Sequence, residues 1–172
     1  MELLSLKRLA CLGILLLVAA CGKNPQERAP WPASITLNGL TQSEINSVSE
    51  TLTGFTSTLG SAVFYFDNRP AQFQITITKF SSSTDSSSKA GLATYDESFC
   101  KVELNELVFN ARFSSYLEPV LWHELGHCAG MEHNSSSGEI MYFLASPKDS
   151  YAEAAITRFM KAFTDFTSLV VK

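Results

Sequence analysis

All three histidines of the chain fall within eleven residues, His123-Glu-Leu-Gly-His-Cys-Ala-Gly-Met-Glu-His133, and that spacing constrains the local fold more than any other feature. His123 and His127 are four apart, so a helix presents both imidazoles on one face, one turn apart, where two ring nitrogens can share one metal ion. Had the helix continued, His133 would sit about 240° around and about 9 Å along from His127, out of reach of that ion. The helix must break between them. Gly130 stands where the break is needed, because glycine enters the left-handed conformation that ends helices without a Cβ penalty.

Three neutral imidazoles bind zinc and leave its fourth tetrahedral position open to water, which is the coordination of catalytic rather than structural zinc. Glu124, beside the first ligand, is the candidate general base, passing a proton from the attacking water to a leaving amine. Cys128 adjoins a ligand but lies about 100° around the helix from His127, so packing or pairing is expected of it instead.

The spacing H-E-x-x-H-x-x-G-x-x-H, with Met141 in Gly138-Glu139-Ile140-Met141-Tyr142 eight residues after His133, resembles the metzincin zinc proteases, closest to their matrixin-like branch. The resemblance implies a zinc-dependent endopeptidase with one catalytic zinc on His123, His127 and His133, and Met141 as the Met-turn methionine under the site. It also implies an α+β fold: a small, twisted, mostly parallel mixed sheet with a long N-terminal helix, an active-site helix, a Met-turn and a C-terminal helix. Ala90 to Tyr95 occupies the place of the family's substrate-binding edge strand, where an extended peptide adds antiparallel main-chain hydrogen bonds; an ordinary edge strand reads the same way. The chain departs from the family in two places near the pocket, with Asn134 where serine often follows the third histidine and Phe143 where proline usually follows Met-Tyr. Phe143 also stands where the astacin and serralysin branches offer a tyrosine ligand, so no fifth protein ligand is expected and Tyr142 is read as structural. A zinc-binding envelope lipoprotein without catalysis is the alternative function.

The N-terminus reads separately. Lys7 and Arg8 precede an apolar run from Leu9 to Ala20 that is too short to span a bilayer, and small residues close it, as in a secretory signal. Val18-Ala19-Ala20-Cys21 resembles a bacterial lipobox, which implies cleavage before Cys21 and acylation of that cysteine. Residues 1–20 are thus expected to be signal peptide, 21–32 a proline-bearing tether, and 33–172 one catalytic domain, for which 45% hydrophobic and 17% charged residues are ordinary values. The resemblance implies export and a lipid anchor in the bacterial cell envelope, with Gly22 in place of a retention aspartate favouring the outer membrane in a two-membrane bacterium; a monomer is favoured. No cysteine-switch segment fits between Cys21 and Ala33, so an enzyme active as made is expected. Loss of residues 1–20 leaves 11 basic against 16 acidic side chains, a balance that does not suggest nucleic-acid binding, while the metzincin resemblance implies a peptide or protein substrate. Cys100 and Cys128 then remain as a pair that an oxidising compartment could join, or as two separately buried thiols.

Along the domain, Ser34 to Leu37 reads as a strand, and Thr41-Gln-Ser-Glu44 as a capping box opening a helix with Ile45, Val48, Leu52, Phe55 and Leu59 on one face. Ala62 to Phe66, Phe73 to Phe80, Ala90 to Tyr95 and Phe99 to Leu104 read as strands. Tyr116 to Gly130 has helical spacing, with Pro119 tolerated in its first turn. A last helix over Ser150 to Phe166 carries the stripe Ala154, Ala155, Phe159, Ala162, Phe163 and Phe166. Ser81 to Lys89 is too polar to bury and is assigned no chemistry.

Overall fold

The computed structural model describes residues 31–66, 71–81 and 89–169. The expected signal peptide, Cys21 and nearly all of the expected tether lie outside them. Trp31, two residues before the expected domain start, already packs in the core, its ring meeting Phe64, Phe73 and Phe163 at centroid distances of 5.9, 5.5 and 5.0 Å.

Five strands, β1 (Ala33–Leu37), β2 (Phe64–Tyr65), β3 (Gln74–Phe80), β4 (Gly91–Tyr95) and β5 (Phe99–Asn105), form one sheet in the order β2-β1-β3-β5-β4. All neighbours are parallel except β4, which runs antiparallel to β5 and whose outer edge is unpaired among the described residues. The sheet is thus mostly parallel and mixed, as expected. In β3 and the residue before it, Phe73, Ile75 and Ile77 are fully buried while Thr76 and Thr78 are only half-buried, because the helices cover one face of the sheet.

Helix α1 (Gln42–Leu59) starts at the Thr41 capping box, in which the Thr41 hydroxyl accepts from the Glu44 amide and the Glu44 carboxylate accepts from the Thr41 amide at 2.7 Å. It buries Val48, Leu52, Phe55 and Leu59. Phe55 is the hub of the core, edge-on to Trp122 and Phe163 at 5.4 and 4.9 Å. Helix α2 (Leu117–Cys128) lies against β4 and β5, and helix α3 (Glu153–Thr167) against α1. The stripe of α3 is rotated from the expected one: Ala154 and Phe166 are exposed, while Met160 and Thr167 are buried with Ala155, Phe159 and Phe163. No helix among the described residues is long and apolar enough to cross a membrane.

A disulfide joins Cys100 on β5 to Cys128, the last residue of α2, with Cα atoms 5.5 Å apart. It closes a loop with a sequence separation of 28, for which chain entropy gives about 3.5 kcal/mol. Replacing both cysteines by alanine should therefore lower the unfolding free energy by roughly 2–5 kcal/mol in denaturant titration. An unmoved midpoint would show that the bridge contributes nothing.

Candidate metal centre

Helix α2 carries His123, Glu124 and His127, and it ends as the histidine spacing requires. The Met131 amide donates to the Gly126 carbonyl at 2.9 Å and the Gly130 amide to the His127 carbonyl at 2.8 Å, with Gly130 at φ +88°. This paired bonding is a Schellman ending, and it reverses the chain so that His133 returns to the helix face.

There the three Nε2 atoms converge: His123 to His133 at 3.0 Å, His123 to His127 at 3.1 Å, and His127 to His133 at 3.2 Å. Their protonation follows from the other ring nitrogens. His123 Nδ1 lies 2.7 Å from the Ile140 carbonyl and His127 Nδ1 2.8 Å from the Met131 carbonyl. A carbonyl oxygen only accepts, so both Nδ1 atoms carry the hydrogen and both Nε2 atoms turn a lone pair inward. Burial pushes the His123 imidazole down to about 4 and lowers that of His127, against the pull of those carbonyls, so both are neutral at pH 7. Lone pairs facing one another at this range repel unless a cation lies between them, and tetrahedral zinc with bonds of 2.0–2.1 Å needs nitrogens about 3.3 Å apart. The donor set fits zinc, and the three histidines form the one such cluster among the described residues.

Met141, which the resemblance assigns to the floor of the site, packs against α2. It is buried, and its sulfur packs so tightly on Gly126 that a Cβ there would come within 2.5 Å of it. The turn that carries it is held from both sides, by the Asn134 amide bonding the Met141 carbonyl at 2.9 Å and by Arg158 of α3 pairing with Glu139. The same turn supplies the Ile140 carbonyl to His123, so ligand and floor are positioned by one segment.

Glu124 is 5% exposed and faces β4. Burial pushes its carboxyl up to about 8, opposed by a hydrogen bond from the Ala93 amide and by the charge of Lys89. Burial alone favours the acid form, whereas a cation held on the adjacent histidines would favour the carboxylate, the form that can take a proton as general base. Room for it exists only because residue 91 is glycine: a Cβ there would lie 2.6 Å from Glu124 Oε1 and 2.9 Å from its Cγ. The sequence reading missed Gly91 and Ala93, although a glycine in a strand is itself a sign of close approach. Gly91→Ala should leave zinc bound but lower kcat/KM by about 100-fold by displacing the carboxylate; activity within twofold of the parent would refute that placement.

A cavity of about 440 Å³ opens over the three histidines, walled by β4, by Tyr116 and Val120, and by Phe143 to Ala145. Phe143, 60% exposed, lines this wall. The wall is tied back by Lys148, which pairs with Glu118 of α2 at 2.8 Å, and by the Ser146 amide donating to the Tyr151 hydroxyl.

A family model described as Matrixin matches residues 42–157, which include all three histidines, Glu124 and Met141. None of the curated proteins and none of the solved structures matches the chain. The family match spans well over half of the sequence and accords with the sheet, the three helices and the histidine cluster, so this chain belongs to the matrixin family.

Proposed function

We propose that the chain is a zinc-dependent endopeptidase that hydrolyses peptide bonds with Glu124 as general base and His123, His127 and His133 as ligands of one zinc ion. The observation that carries this reading is the convergence of three inward-facing Nε2 atoms beside a buried carboxylate and an open sheet edge. Zinc held there supplies a water of pKa about 7 and polarises a peptide carbonyl. The chain's own residues do the rest. The open edge of β4 offers main-chain hydrogen bonds that hold an extended peptide across the site. Glu124, steadied by the Ala93 amide, takes a proton from the attacking water and returns it to the leaving amine. The buried imidazoles stay neutral, fixed in the ligating tautomer by the Ile140 and Met131 carbonyls.

The apolar run ending at Val18-Ala19-Ala20-Cys21 supports a further part of the proposal, that the enzyme is exported and held on an envelope membrane by acylated Cys21. Digestion of a peptide library with and without chelator tests the catalytic reading. Cleavage that stops with chelator is expected; zinc-loaded protein that leaves every peptide intact would point to a zinc-binding lipoprotein without catalysis.

A further inference from the structure

Lys89 stands where two cavities meet. It lines the 440 Å³ cavity over the histidines and also an adjoining one of about 230 Å³, whose walls include Leu107, Val108 and Phe113. Its main chain is fixed from below: the Lys89 carbonyl accepts from Asn105 Nδ2 at 3.0 Å, and Asn105 is only 3% exposed. Asn105 is itself held, its amide bonded to the Ala90 carbonyl at 2.9 Å and its Oδ1 to the Leu107 amide at 3.0 Å. The base of this lysine is therefore set by a buried network, while its ammonium is exposed and forms no ion pair among the described residues.

Among the described residues that line the larger cavity, and apart from the histidines, Lys89 is the one basic and Glu124 the one acidic side chain, and Glu124 is committed to the proposed reaction. A peptide added antiparallel to β4 runs from the Tyr95 end towards the Gly91 end, so the residues that follow the scissile bond approach Lys89.

We propose that this end of the cleft selects a substrate carboxylate downstream of the scissile bond, with Lys89 as its counter-ion and the adjoining cavity taking a neighbouring apolar side chain. The proposal rests on the endopeptidase reading for the direction of the peptide. The carboxylate belongs either to an Asp or Glu side chain or to the C-terminus of the substrate. An exposed ion pair gives a modest preference, roughly two- to fivefold, that grows as salt is lowered.

Binding can be read without turnover, on the full chain carrying Glu124→Gln and loaded with zinc. One peptide series carries Glu or Gln at each of three positions after a large apolar residue; a second series ends at those positions as free acid or amide. Fluorescence anisotropy should show carboxylate-bearing peptides binding two- to fivefold tighter, and adding Lys89→Met should erase the difference. Glu over Gln in the long series assigns an acidic residue; acid over amide in the short series assigns a substrate terminus. Equal affinities throughout, or a preference that survives Lys89→Met, would overturn the proposal. Digestion of the same peptides by the unaltered protein separates the two readings. Intact peptides with a binding preference sink the enzyme and keep the Lys89 site, whereas cleavage without preference does the reverse.

Discussion

Glu124→Gln is expected to lower peptide hydrolysis by about 10²–10⁴-fold while zinc content stays at one per chain. The amide is nearly isosteric, so the close approach to Gly91 is kept, and it can still accept the Ala93 amide hydrogen. What it loses is the ability to take a proton. The ligand tautomers are set by the Ile140 and Met131 carbonyls, which the substitution leaves in place. Zinc analysis beside a peptide assay checks both halves. Undiminished turnover would remove Glu124 from the chemistry, and loss of zinc with it would make the residue structural.

His123→Ala should cost zinc far more than the roughly 10- to 100-fold that loss of a supporting hydrogen bond costs, because it removes one of three donors. His123 is the most buried of the three and the one tied to the Met141 turn through Ile140, so the loss should also loosen the floor of the site. The fold should persist, since its core of Phe55, Phe73, Ile75, Ile77, Leu121 and Phe163 is independent of the metal. Dialysis against buffered zinc, followed by metal analysis and circular dichroism, is the measurement. One tightly held zinc in a folded His123→Ala protein would contradict the ligand set. Because zinc binds the native state alone, the parent should also gain about 4 kcal/mol at free zinc 1,000 times the dissociation constant, and the variant should not.

The metal site was legible because its information is local. A helical repeat of four, a helix-ending glycine and a third histidine three residues after it leave few ways for the segment to fold, and the structure brings the three imidazoles to one point. The Thr41 capping box was legible for the same reason. What was not legible depends on residues brought together from far apart. Gly91 matters only through the packing of β4 on α2, and Lys89 only because buried Asn105, sixteen residues on, fixes its backbone. The α3 stripe was misphased because Met160 and Thr167 face the core in place of Ala154 and Phe166, a choice made by the angle at which the helix docks. The strand expected over Ala62 to Phe66 shortens to Phe64–Tyr65, since at this sheet edge the ladder with β1 pairs only Ala33 with Phe64 and Ser34 with Tyr65.

Stoichiometric reconstitution tests the central claim most directly. Zinc is titrated into the metal-stripped protein while cleavage of one sensitive peptide is followed. Activity should rise linearly to one equivalent of zinc per chain and then stay flat. Cleavage that is already complete without zinc, or that never appears after one equivalent has bound, would contradict a catalytic zinc on His123, His127 and His133.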